Sequence, residues 1–96
     1  MKTTTTQNVF REVGFAPEEA EHLRVRAALM AHIARFIRRR KLTQAQAARL
    51  FGVSQPRVSD VVRGRLHRFS IDALVSMLAH AGLTVRVRVG RASRAA

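Results

Sequence analysis

The chain has 96 residues, 47% of them apolar and none of them Cys, with 18 Lys and Arg against 6 Asp and Glu for a formal charge of +12. That length suits one small domain around one core, and no stretch reaches the roughly 20 apolar residues of a membrane span. The absence of Cys excludes disulfides and thiolate chemistry and points to a reducing, cytoplasmic setting, while so one-sided a charge opposes compaction and attracts a polyanion.

In chain order, Met1 to Gln7 holds four Thr and no apolar run and reads as a disordered leader rather than a secretory signal. A short apolar stretch follows at Asn8, Val9 and Phe10 and again at Val13 and Phe15. Pro17 suits the first position of a helix, with Glu18 and Glu19 at its positive end. Ala20, Leu23, Ala27, Met30, Ile33 or Ala34, and Ile37 then recur every three to four residues, predicting one long amphipathic helix to about Arg39. Thr43 caps a second helix, Gln44 to Phe51, and Gln46 three residues on completes a capping box. Gly52 stops it. Ser54 caps a third helix running to about Arg63, with Pro56 tolerated in the first turn and Val58, Val61 and Val62 facing inward. Gly64 ends that helix. Ser70 caps a fourth, stapled by Phe69 and Leu74, with Ile71, Leu74, Val75 and Leu78 as its core stripe and Gly82 as its stop. From Thr84 to Val89 the period changes to strict alternation, which predicts a half-buried strand over 84–89. A lone strand needs a partner: the same strand of a second copy, joined through Val85, Val87 and Val89, or a segment near Asn8 to Phe10 of the same chain. Residues 91–96 read as a frayed basic tail, leaving 8–90 as one domain.

Two short helices joined by a Gly-containing turn, with small residues in the first, form a helix-turn-helix pattern. Ala47 and Ala48 let the two helices approach, Gly52 makes the turn, and Val53 and Val58 fill the space between them. The surroundings are basic: from Val25 to Arg68 one acid, Asp60, stands against eleven basic residues. All but two of the chain's basic residues are Arg, whose planar fork suits phosphates and guanine edges. On geometry, Ser54, Arg57 and Ser59 project from the first turns of the helix that would enter a major groove. Arg57 either favours guanine or holds a phosphate. Pro56 can offer only apolar contact, as to a thymine methyl. Arg63, Arg65, His67 and Arg68 are candidate phosphate clamps, and Arg38, Arg39, Arg40 and Lys41 reach toward the flanking backbone or form a solvated helix end. Asp60 is unexpected in such a helix, and either pairs with Arg57 or Arg63 or selects cytosine.

The segments LTQAQAARLFGVSQPRVSDVVRGRLHRFSIDAL and GLTVRVRV, with the lead-in VFREVGF and EEAEHLRVRAALMAHI, resemble the XRE-type family of Cro and phage repressors, and within it the HigA-like antitoxins. The resemblance implies a mainly α, compact four-helix, lambda-repressor-like helix-turn-helix domain, with the C-terminal β-strand pairing across a dimer. It implies that Gln44, beside Thr43, braces a phosphate and that Gln55 reads a base edge, adenine being the natural partner of Gln. It further implies a cytoplasmic homodimer that binds a palindromic operator in double-stranded DNA, represses its own promoter and neutralises a small RNA-cleaving toxin. The acidic segment Glu12 to Glu21 is then either the toxin contact or a solvated helix start. A stand-alone regulator without a toxin shares the same motif.

Other classes fit less well. His22, His32, His67 and His80 lack ligand-pair spacing and have no Cys to assist them, so no metal or cofactor is expected. Enzyme chemistry is not expected, because Ser54 and Ser70 sit at caps, Ser59 lies in the third helix, and the carboxylates Asp60 and Asp72 read as helix-surface groups. RNA recognition would call for aromatic platforms, and the chain has no Tyr or Trp. A protein-binding module whose basic face is incidental remains the reading from another class.

Overall fold

The computed structural model describes residues 14–92. The leader, the apolar stretch at Asn8 to Phe10, Glu12 and the end of the basic tail lie outside the described residues. Four α-helices follow in order: α1 Pro17–Arg39, α2 Gln44–Phe51, α3 Gln55–Val62 and α4 Ile71–His80, with a short 3-10 helix at Leu66–Arg68 between α3 and α4. α1 is the long axis against which α3, the 3-10 helix and α4 pack, while α2 contacts α3 and α4. The helix bounds match the caps read from the sequence. The 3-10 helix carries no periodicity to reveal it.

The core is contributed by all four helices. Ile33, Phe51, Val58, Val61 and Leu74 are sealed from solvent, with Leu29, Met30, Ile37, Phe69, Met77 and Leu78 around them. Two expected core positions are corrected. Val62 is 44% exposed and Val75 37%. Val75 stands about 100° round α4 from the buried Leu74. Val62, the last residue of α3, borders a groove opposite the small residues Ala27 and Ala31.

Caps fix where each helix starts. Thr43 Oγ1 accepts from Gln46 N at 3.1 Å while Gln46 Oε1 accepts from Thr43 N at 2.9 Å, closing the capping box on α2. Ser54 caps α3 and Ser70 caps α4 by accepting from Arg57 N and Ala73 N.

Each helix ends by the same device. The chain takes one left-handed residue, Lys41, Gly52, Gly64 or Gly82, with φ of 53°, 70°, 72° and 83°. The next residue then donates its N–H back to the carbonyl five positions earlier: Leu42 to Ile37, Val53 to Ala48, Arg65 to Asp60 and Leu83 to Leu78, at 2.9–3.0 Å. This satisfies carbonyls the helix would leave bare, and Leu42, Val53 and Leu83 fold onto the core as they do so.

The strand expected over 84–89 is not formed. Residues 83–92 carry no regular secondary structure. A strand is defined by its ladder to a neighbour, and among the described residues none makes one with this segment. Its alternation survives only at its start. Leu83 and Val85 pack on the core of their own chain, whereas Val87 and Val89 are 82% and 91% exposed.

Lys41 is the one non-glycine at a left-handed stop among the described residues. Lys41→Gly is expected to stabilise the fold by about 1 kcal/mol, or roughly 4–8 °C in melting temperature for a domain of this size. Gly52→Ala is expected to cost more than about 2 kcal/mol, since a Cβ there would also lie 2.7 Å from the His80 ring. Thermal unfolding followed by circular dichroism checks both, and a Lys41→Gly variant no more stable than the parent would refute the account of the stop.

Candidate nucleic-acid interface

The amino ends of α2 and α3 carry the exposed polar groups expected of them. Thr43 and Gln44 are exposed at the start of α2, and Ser54, Gln55 and Pro56 at the start of α3, with Ser59 half-buried one turn on. The first-turn N–H groups of a helix form a partial positive charge suited to a phosphate. Thr43 and Ser54 are already engaged as caps, so their hydroxyls have only the remaining lone pair and proton to offer a ligand. Gln44 and Gln55 serve no such cap among the described residues, and stand at the first position of their helices.

Arg57 lies elsewhere than a freely projecting side chain would. Its guanidinium stacks 3.9 Å from the centroid of the Phe69 ring, and its Nη1 donates to the Arg68 carbonyl at 2.7 Å. It braces α3 against the segment that follows the 3-10 helix.

Among the described residues Asp60 is the one charged residue that is buried, at 8% exposure. Its partners are not Arg57 or Arg63. Arg65 Nη1 and Arg68 Nη1 each donate to its Oδ1 at 3.4 Å, and Arg68 reaches Oδ2 at 3.5 Å. Arg57 is occupied by Phe69 and the Arg68 carbonyl, and Arg63 is the exposed C-cap of α3. Burial also removes Asp60 from any surface on which it could accept from cytosine. Two of the expected phosphate clamps, Arg65 and Arg68, are therefore held by one carboxylate, while Arg63 and His67 are exposed.

Arg26 was not singled out by its sequence position. Its Nη1 donates to the carbonyls of Leu66 at 3.1 Å and Phe69 at 3.4 Å, tying α1 to the 3-10 helix. The signal available beforehand was an Arg on the inward half of an amphipathic helix, which does not name a partner forty residues away. His80, on α4, places Nδ1 3.0 Å from the Leu50 carbonyl, bonding α4 to the end of α2.

Of the run at the end of α1, Arg38, Arg39, Arg40 and Lys41 are all exposed. Arg40 rests 4.6 Å from the Phe36 ring centroid, and Phe36 meets Phe51 edge-on at 5.9 Å. At the other end of α1, Glu18 and Glu19 are exposed. Glu21 is paired with Arg24 at 2.6 Å, and the Arg24 hydrogen bond holds its carboxyl below the usual carboxylate range. Among the described residues, no three His, Cys, Asp or Glu gather as a metal site would require, and no helix is long and apolar enough to cross a membrane.

A family model described as a helix-turn-helix domain matches residues 9–90, most of the chain. No curated protein matches it.

Arg57→Ala is expected to lower stability by about 1–2 kcal/mol, through loss of a charged hydrogen bond and a cation–π contact. Urea unfolding measures this. A change within about 0.5 kcal/mol, the ordinary result for a free surface side chain, would contradict the bracing role.

Proposed function

The chain belongs to the helix-turn-helix domain family, and from that premise we propose that it is a sequence-specific transcriptional regulator of double-stranded DNA. One observation carries the reading: between Leu42 and Arg68, the stretch that forms α2, α3 and the 3-10 helix, the single acid, Asp60, is buried and paired, so this stretch exposes many cations and almost no carboxylate of its own. Such a surface suits the phosphate backbone, which supplies the sequence-independent part of binding.

In this reading α3 enters the major groove by its first turns. Gln55 reads a base edge, Ser54 and Ser59 hydrogen-bond nearby, and Pro56 offers apolar contact. Arg57 reaches a base only by leaving Phe69, so it acts first as a brace. Thr43, Gln44 and the cations at Arg38 to Lys41, Arg63, Arg65, His67 and Arg68 take phosphates. The protein works by binding rather than by catalysis: Ser54 and Ser70 serve as caps, and Asp60 is held by two arginines. A cytoplasmic location goes with this role.

The proposal extends to a homodimer on a palindrome, joined through the exposed Val87 and Val89, with Val85 kept largely for its own core. The similarity to HigA-like antitoxins supports an autorepressing antitoxin. Its contact for a basic, RNA-cleaving toxin would be the exposed Glu18 and Glu19 at the start of α1.

Fluorescence anisotropy against duplex from the gene's own upstream region and a scrambled duplex tests the reading across a salt series. An advantage on the order of a thousandfold at physiological salt is expected, and Gln55→Ala should remove about 1–3 kcal/mol of it. Equal binding to both duplexes, collapsing alike with salt, would leave only the phosphate contribution and defeat the proposal. Replacing Val87 and Val89 together by Lys should yield a monomer by sedimentation, without the pairing that sets recognition helices about 34 Å apart. An unchanged dimer would place the interface elsewhere. Copurification of a small basic protein with the native chain is the expected sign of the toxin, and its absence when neighbouring genes are co-expressed would favour a stand-alone regulator.

A further inference from the structure

We propose that Asp60 is a specificity-determining residue that acts by position: its buried carboxylate fixes Arg65 and Arg68 to the recognition helix, so that contacts to the DNA backbone set the register in which Gln55 meets the bases. The inference rests on the DNA-binding reading above.

Four observations carry it. Asp60 sits within α3 itself, and its side chain is only 11% exposed. It receives both arginines from the segment beyond the helix, each through a single terminal nitrogen at 3.4 Å. A guanidinium has five N–H donors, and the Arg65 and Arg68 side chains remain 37% and 49% exposed, so most of their donors still face solvent. The backbone of the same segment is also tied down, at Arg68 by Arg57 and at Leu66 and Phe69 by Arg26. Side-chain and backbone contacts thus both tie these two residues to α3.

The consequence follows from how protein–DNA recognition divides its labour. Phosphate contacts position a protein on the duplex, and base contacts specify the sequence. Two unrestrained arginines in a loop would follow phosphates in any register, adding affinity for all sequences alike. Anchored to α3, they favour the register in which the helix is seated. The carboxylate also opposes the polyanion, which lowers affinity for any duplex. Loss of unspecific affinity in exchange for discrimination is how specificity is often built.

The test uses the full chain and two probes: a duplex enriched from a randomised pool by the wild-type protein, and a scrambled version of it. Asp60→Asn is expected to bind the scrambled duplex more tightly while the preference for the enriched duplex falls about tenfold. Replacing Arg65 and Arg68 together by Lys keeps both charges but removes the planar fork, and should cause a similar fall. Adding Asp60→Asn to that pair should lower the preference no further, a result that a general loosening of the fold would not give. A preference within twofold of wild type in Asp60→Asn overturns the proposal, as does a full additional fall in the triple variant. Should Asp60→Asn fail to fold, the lysine pair decides, and an unchanged preference there overturns it. If the wild-type protein enriches no duplex, the DNA-binding reading itself fails and this inference falls with it. Enrichment followed by an unchanged Asp60→Asn preference sinks this inference alone.

Discussion

The geometry of the whole chain depends on how its helices stop. All four end in one left-handed residue followed by an N–H returned to the carbonyl five residues back. The device spends no side chain, satisfies otherwise orphaned carbonyls and reverses the chain within two residues. Because the residue after the stop is apolar at Leu42, Val53 and Leu83, these three stops also pack a side chain against the core. The direction of the next element is thereby fixed by packing as well as by backbone. At Gly52 the demand is greatest. The turn there sets how α3 is presented relative to α2, and the His80 ring lies so close that only a hydrogen fits where a Cβ would be. His80 also bonds the Leu50 carbonyl, so α4 reads and holds the turn that orients the recognition helix.

A second constraint comes from charge. A chain at +12 must keep its cations apart and still fold. The structure answers by giving several arginines backbone carbonyls or aromatic faces as partners instead of carboxylates. Arg26 takes the carbonyls of Leu66 and Phe69, Arg57 takes that of Arg68 and the Phe69 face, and Arg40 lies over Phe36. These contacts use the delocalised, weakly hydrated guanidinium, and Lys would serve poorly in most of them. The preference for Arg is thus explained twice, by what the outward-facing groups could bind and by what the inward-facing ones hold together.

The same division explains what could be read from the sequence. Helix starts were legible because a cap is local: Thr43 with Gln46, and Ser54 and Ser70 with a backbone N–H three residues on. The stops at Gly52, Gly64 and Gly82 were legible for the same reason, whereas Lys41 at a left-handed position carried no such mark. The roles of Arg57 and Asp60 were not legible. Sequence spacing offered Arg57 or Arg63 as partners for Asp60 within its own helix, but the segment beyond Gly64 turns back and brings Arg65 and Arg68 to it. Arg57 finds its carbonyl eleven residues away and Arg26 its own forty and forty-three away. Alternation between residues 84 and 89 predicted a strand that is not formed, and of its apolar positions only Val85 packs on the core. Alternation cannot supply the neighbour on which a strand depends.

Those exposed valines bring the two constraints together. On the proposed reading, the apolar pair Val87 and Val89 draws two copies into contact, yet each copy brings its +12 charge and Arg86 and Arg88 alternate with the very residues that would meet. Apolar contact between so few side chains is modest, while repulsion between the chains extends about a Debye length. Salt should therefore strengthen the pairing by screening it, and weaken DNA binding by competing for the phosphates. In the proposed complex a duplex would resolve the conflict, its backbone neutralising both copies as it aligns them. On that reading pairing and DNA binding would reinforce one another through charge, and the excess of arginine that opposes pairing of the isolated chains would be what a duplex offsets.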